Sequence, residues 1–166
     1  MSGRVWKVGD DIDTDALAPG KYMKCDIDEI ARHCLEDVLP GFAAAVRPGD
    51  VLVAGRNFGI GSSREQAPEA LRRLGIAAVV APSFAGLFYR NALNLGLAVL
   101  VCEGAAAIPD GVRVAVDPAA GRIDGPGIAL SCQPIPPFLL QMLAAGGLMP
   151  HLAQRLANEP QLGKRR

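Results

Sequence analysis

VLVAGRNFGIGSSREQAPEALRRLG, residues 51–75, sets an apolar run, a glycine-rich loop and a helix-like segment end to end. Glycines at 55, 59 and 61 allow sharp turns and a close approach of the backbone to a ligand. Ser62, Ser63 and Arg64 follow, where a helix N-terminus would present unpaired N–H groups. Hydroxyls, a guanidinium and a helix start together describe a site for a small carboxylate or phosphate. Two overlapping capping patterns, Ser62-x-x-Glu65 and Ser63-x-x-Gln66, are present. One serine can therefore start the helix while the other faces the glycine loop beside Arg64.

Downstream, Pro68–Leu74 reads as a helix stopped by Gly75, and Ile76–Ala81 as a strand covered on both faces. Ser83 is placed to cap a helix through Leu95, with Gly96 as its stop, and Leu97–Cys102 is a third buried strand. The order β-loop-α-β-α-β over residues 51–102 predicts an α/β fold with parallel strands joined by right-handed crossovers. After Gly104 the texture changes. Val112–Val116, Arg122–Ile123 and Ile128–Cys132 are short segments between Pro and Gly turns, which predicts added antiparallel strands. Pro136 and Pro137 open a helix that ends near Gly146 and Gly147. The tail from His151 reads as a loose helix fraying into disorder. With no internal repeat, residues 1–150 are expected to form one domain and residues 151–166 its tail.

Upstream, Arg4–Val8 alternates as a short first strand. GDDIDTDALAPG (9–20) is an acidic loop of the Asx-turn type, one of whose aspartates can orient a partner histidine or a substrate hydroxyl. Tyr22 and Lys24 follow, a hydrogen-bond donor and a receiver for a carboxylate. Asp26 with Glu29 approximates a capping box and predicts a helix to Asp37, with His33 an ordinary surface or half-buried residue on it. Arg47-Pro-Gly-Asp50 marks the turn into the strand Val51–Gly55.

Composition narrows the function. The 166 residues are 50% apolar and 20% charged with zero formal net charge, so the chain has material for a core and no basic excess inviting nucleic acid. No apolar run reaches the ~20 residues of a membrane span, and the first residues lack a hydrophobic signal region, so a cytoplasmic location is expected. Cys25, Cys34, Cys102 and Cys132 form no CxxC pair, and neither His33 nor His151 starts a zinc pattern, so no metal or cofactor is expected on this chain.

The glycine loop fits poorly with the common nucleotide sites. A P-loop needs Lys before the Ser or Thr, and here Ile60 and Gly61 precede Ser62. For a dinucleotide, Arg64 stands where GxGxxG requires its third glycine, and AAVVAPS offers no acid for a ribose. No histidine lies nearby in sequence to activate a serine nucleophile. A serine acting as a base instead needs N–H groups and cations that stabilise its alkoxide.

GRNFGIGSSREQAPEAL (55–71), followed by GIAAVVAPSFAGLFYRNALNLGL (75–97), closely resembles the small subunits of 3-isopropylmalate dehydratase. That family's domain is also the swivelling domain of aconitase and homoaconitase. DDIDTDALAPGKYM (10–23) and IPPFLLQMLAAGGL (135–148) resemble it too, so the likeness spans about residues 5–150. The resemblance implies a swivelling β/β/α domain and a hydro-lyase of leucine biosynthesis that is active only with a large subunit, as a heterodimer or heterotetramer. The large subunit would carry a [4Fe-4S] cluster whose open iron binds the hydroxyl and carboxylate of a small carboxylate substrate. By motif position, Ser62 would be the catalytic base, Ser63 a substrate contact and Arg64 a bidentate clamp on a carboxylate. Asp15 falls where the family places an active-site acid. Tyr22–Cys25 falls in the loop associated with choosing the substrate's variable side chain.

Two positions depart from the pattern. Ile60 stands where relatives commonly have Cys, and Gln66 where they commonly have His. Gln66 removes a titratable group yet can close a capping box with Ser63. Lys24 is a cation that would favour a second distal carboxylate over an isopropyl group. The related readings are therefore a homoaconitase-type or dimethylmalate-type small subunit. A non-catalytic binding module of the same fold is the alternative of a different class.

Overall fold

Apolar side chains alternate between two covered faces in the central strands, and this places the sheet at the middle of the molecule. Val51 and Val53 join Val5, Ala78, Val80, Ala98 and Leu100 on one face, while Leu52, Val79 and Val99 join the core on the other. The computed structural model describes residues 1–158. Its strands are β1 (Ser2–Lys7), β2 (Val51–Val53), β3 (Ala78–Ala81), β4 (Ala98–Val101), β5 (Arg113–Asp117), β6 (Arg122–Gly125) and β7 (Ile128–Ser131). They form one seven-stranded sheet in the order β4-β3-β2-β1-β5-β6-β7. Neighbours from β4 to β1 are parallel, with Lys7 beside Val53 and Val53 beside Val80, and β1-β5-β6-β7 is antiparallel. The mixed sheet is the α/β architecture expected from the sequence, and β1 is the hinge between its two halves.

Seven helices accompany it among the described residues: α1 (Thr14–Leu17), α2 (Ile27–Arg32), α3 (Phe42–Ala45), α4 (Gln66–Arg73), α5 (Gly86–Asn94), α6 (Pro137–Ala144) and α7 (Leu148–Asn158). The larger core joins Trp6, Phe42, Phe58, Leu71 and Phe88, and the smaller joins Val5, Ile108, Ile123 and Ile135. Burying each such side chain is worth about 1.5–3 kcal/mol. None of the described helices is long and apolar enough to cross a membrane.

Several local expectations yield to tertiary contacts. Asp26 caps α2 by accepting from the Glu29 N–H at 2.9 Å, but the helix ends at Arg32 rather than Asp37. Leu35 adopts φ 60°, and its N–H donates to the Ala16 carbonyl at 2.8 Å, which turns the chain out of the helix. Ser83 does not cap α5. Its Oγ accepts from the Asn57 N–H at 2.9 Å, and α5 begins at Gly86 after an extended Ala85. Neither serine caps α4 either: the helix opens at Gln66 after Glu65, without a side-chain cap bond, so Ser62–Arg64 lie ahead of it in irregular chain. The Ser63–Gln66 capping box fails with it. The tail contributes to α7 as far as Asn158, and the expected disorder falls on residues 159–166, outside the described residues.

Asp50, at the entry to β2, ties the sheet to its approach. It is 6% exposed, and its carboxylate accepts from Trp6 Nε1 at 2.9 Å, the Arg47 N–H at 3.0 Å and the Arg4 N–H at 3.2 Å. Burial pushes the carboxyl upward in pKa, but these three donors outweigh it and hold the group below its ordinary value. A depressed pKa stabilises the fold above the unfolded-state value near ~3.9, and that contribution is lost as pH falls through the folded value. Asp50→Ala is expected to destabilise the chain by about 2–3 kcal/mol in urea unfolding at neutral pH, because three donors lose their partner. The deficit should shrink as the wild-type carboxyl protonates below pH ~4.

Candidate functional site

The two loops that leave β1 and β2 are laced together backbone to backbone. Gly55 N–H donates to Gly9 at 3.0 Å, Asp11 N–H to Arg56 at 2.8 Å, Gly59 N–H to Ile12 at 2.7 Å and Thr14 N–H to Ile60 at 2.8 Å. Asp10 accepts from the Arg56 N–H at 2.7 Å, Asp11 from Asn57 Nδ2 at 2.8 Å, and Asp13 caps α1 by accepting from the Ala16 N–H at 2.7 Å. These aspartates therefore act on backbone and amide donors, and none of the recorded bonds runs to a histidine. Gly59, at φ 83°, has no room for a Cβ because the Phe88 ring lies against it. Gly61, at φ 106°, lets the chain pass so close that a Cβ would stand 3.1 Å from Thr14 Oγ1.

Three of the six candidate residues converge. Arg64 Nε donates to Ser62 Oγ at 2.8 Å, while Nη1 donates to the Ala18 carbonyl at 2.8 Å and to Asp15 Oδ1 at 3.2 Å. Asp15 Oδ1 also accepts from the Gly20 N–H at 2.8 Å. That backbone bond, then Arg64, hold the Asp15 carboxyl below the usual carboxylate range although the side chain is 66% exposed. Ser62 is exposed, and its Oγ lies 3.4 Å from Thr14 Oγ1. Thr14 Oγ1 also accepts the Ser62 N–H at 3.1 Å, which leaves the threonine proton available to point at Ser62 Oγ. With Nε and Nη1 engaged, Nη2 of Arg64 carries both protons without a recorded partner among the described residues. A bidentate grip on a carboxylate thus requires exchange of one present contact.

The other three candidates stand differently. Ser63 is exposed and is held through its backbone, the carbonyl accepting from Asn91 Nδ2 of α5 at 3.1 Å. Tyr22 lies in the 3-10 turn Gly20–Tyr22 beside Asp15, and its ring stacks on His33 with centroids 3.7 Å apart. Lys24 is exposed and forms no ion pair among the described residues. Residues not singled out from sequence complete the cluster: Thr14, the Ala18 carbonyl and Asn91. Thr14 carries a signal, a small hydroxyl residue between two aspartates, and at 3% exposure it turns inward with Ile12 while Asp10, Asp11, Asp13 and Asp15 of the same loop remain exposed.

Cys25 is exposed, Cys34 is buried in the core, and the Cys132 thiol is pushed up in pKa first by burial and then by Cys102. Among the described residues no three His, Cys, Asp or Glu side chains gather as a metal site.

Residues 16–104 match the aconitase C-terminal domain family. The chain is 48% identical over 159 residues to the 3-isopropylmalate dehydratase small subunit of Syntrophus aciditrophicus, covering 93% of this chain and 97% of that one. It is 47% identical over 154 residues to the methanogen homoaconitase small subunit of Methanothermobacter thermautotrophicus, covering 91% and 89% respectively. The crystal structure of 3-isopropylmalate dehydratase from Methanocaldococcus jannaschii superposes with a TM-score of 0.88 at 43% identity, over 94% of this chain and 95% of that one.

The support beneath Tyr22 titrates. His33 lies between Glu36, at 2.5 Å from Nδ1, and Glu29, at 3.1 Å from Nε2, while Lys21 pairs with Glu36 at 2.9 Å. Glu36 raises the His33 pKa most; partial desolvation opposes it, and Glu29 adds to the rise. A raised pKa means a contribution fully present below the unfolded value near ~6.5 and lost as pH climbs through the folded value. Thermal stability of the wild type should therefore fall across that interval, and His33→Gln should flatten the fall. NMR titration of the His33 ring checks the direction, and a midpoint at or below ~6.5 would contradict it.

Proposed function

This chain belongs to the 3-isopropylmalate dehydratase small-subunit family, built on the aconitase C-terminal domain, and from that premise we propose that it is the small subunit of a hydro-lyase interconverting 2- and 3-isopropylmalate. It would work in the cytoplasm, in leucine biosynthesis, with a large iron-sulfur subunit. The observation that carries the reading is the convergence of Ser62, Thr14, Asp15 and Arg64 on one exposed rim. The [4Fe-4S] cluster expected on the large subunit would supply Lewis-acid chemistry at the substrate hydroxyl. The four cysteines here are dispersed: Cys25 is exposed, Cys34 and Cys102 are buried in separate cores, and Cys132 is half-buried.

Dehydration removes a proton from the carbon beside a carboxylate and the hydroxyl from its neighbour, leaving an alkene and water. Readdition of water with the two positions exchanged gives the isomer. Ser62 Oγ takes the proton in the first half and returns one in the second. As an alkoxide it would be stabilised by Arg64 Nε–H at 2.8 Å and by the Thr14 hydroxyl, whose oxygen is 3.4 Å away. Arg64 offers Nη2 to a substrate carboxylate, and Asp15 fixes the guanidinium plane rather than touching the reacting carbon. Ser63, with its carbonyl held by Asn91, presents its hydroxyl to the substrate. Tyr22 and Lys24 border the substrate's variable group. Gln66, the first residue of α4, has no recorded side-chain bond to this cluster, so its replacement of a histidine leaves the Ser62–Arg64 contact intact.

The exposed, unpaired Lys24 and the homoaconitase relative favour one second reading, a substrate with a further carboxylate in place of the isopropyl group. Assays with the large subunit separate the two. Turnover of isopropylmalate is expected, and turnover of a tricarboxylate alone would reverse the assignment. Ser62→Ala is expected to lower kcat by about 10²–10⁴-fold. Co-elution of the two subunits should be unchanged, and activity within a few-fold of wild type would remove Ser62 from proton transfer.

A further inference from the structure

At the end of the parallel strands opposite the glycine loop, like charges meet with a single carboxylate, Asp50, beside them. Arg4 of β1 and Arg113 of β5 are direct cross-strand partners, both exposed on the same face of the antiparallel pair. Like charges in that relation destabilise a sheet. Arg47, in the turn before β2, joins them around a cavity of about 480 Å³ whose remaining wall is Ala44, Ala45, Val46 and Asp50. None of the three arginines has an ion-pair partner among the described residues, although Arg32, Arg56, Arg64, Arg73 and Arg122 all do. Asp50 does not neutralise them by contact, since its oxygens are taken by an indole and two backbone N–H groups. Three guanidiniums against one carboxylate leave the cavity with a net charge of +2.

We propose that this cavity is a binding site for a phosphate-bearing small molecule, separate from the catalytic rim. Arg4 and Arg113 rise side by side from adjacent strands and Arg47 comes from a separate turn, so three guanidiniums border one space. A phosphate group offers three or more oxygens to them, whereas a carboxylate offers two in one plane. The small side chains of Ala44 and Ala45 leave room for the body of the ligand beside its charged group. The Arg4 guanidinium is already held 4.3 Å above the Trp6 ring, whose N–H is fixed by Asp50, so one donor is oriented before any ligand arrives.

Trp6 is the single tryptophan of the chain, which makes the site its own reporter. Titration of the full chain with inorganic pyrophosphate at fixed ionic strength should change the Trp6 fluorescence saturably and raise the melting temperature. Arg113→Gln and Arg47→Gln should each weaken binding by about tenfold or more, since each removes a charged hydrogen bond. Arg113→Gln should also melt higher than wild type without pyrophosphate, because the cross-strand repulsion is gone. Tricarballylate, a tricarboxylate of similar charge, should bind more weakly. No saturable change with millimolar pyrophosphate, unchanged affinity in both variants, or equal binding of tricarballylate would each overturn the assignment. Neither arginine belongs to the catalytic rim, so this outcome is independent of the dehydratase assay.

Discussion

The backbone lacing between the loops after β1 and β2 is the constraint on which the site depends. Irregular chain carries polar groups that must be satisfied, and here each loop satisfies the other. Parallel pairing continues beyond β1 and β2 through the isolated bridge between Asp13 and Ile60. The exit of each strand is thereby fixed relative to its neighbour. Thr14 and Asp15, from one loop, come to Ser62 and Arg64, from the other, because the lacing leaves them no other register. The aspartates of GDDIDTD serve this arrangement more than any solvent role: Asp10, Asp11 and Asp13 hold loop donors, and Asp15 holds Arg64.

The sheet is legible in the sequence to a large degree. Unbroken apolar runs with glycine stops specify β2, α4, β3, α5 and β4 nearly in place, and the short Pro- and Gly-bounded segments specify the antiparallel side. What the sequence conceals is non-local. Ser62, Ser63 and Ser83 all carry the signature of helix caps, but a hydroxyl bonds whichever partner the tertiary fold brings first. For Ser62 that is Arg64 and Thr14, and for Ser83 it is Asn57. The Asp26–Asp37 segment has helical composition throughout, yet the bond from Leu35 to Ala16 ends the helix early. In the candidate site, motif position singles out Ser62, Arg64 and Asp15, which the fold brings into contact. Thr14 and the Ala18 carbonyl are not, because a buried threonine and a carbonyl leave no pattern along the chain.

Arginine usage divides the molecule electrostatically. Surface pairs such as Arg122 with Asp124, at 2.9 Å, are worth little individually because water screens them. Arg64 differs, being 25% exposed with three acceptors, so its charge is held at the proposed site. Arg4, Arg47 and Arg113 gather around a cavity at the other end of the same strands. β1 runs between these two ends: Arg4 lies near its start, and the loop beyond Lys7 leads to the proposed catalytic rim.

The commitments of Arg64 before substrate arrives have a consequence for where entropy is lost. A free arginine side chain surrenders roughly 2 kcal/mol of rotamer freedom when immobilised. Here that cost falls on folding, since Ala18, Asp15 and Ser62 already fix the guanidinium. On the function proposed here, a carboxylate meeting Nη2 would find a donor that need not be ordered afresh, so more of its contact energy would remain for orienting the reacting carbon. The same anchoring sets a limit. On that proposal, an anchored guanidinium would follow the substrate little, and the approach of the large subunit would do the fitting.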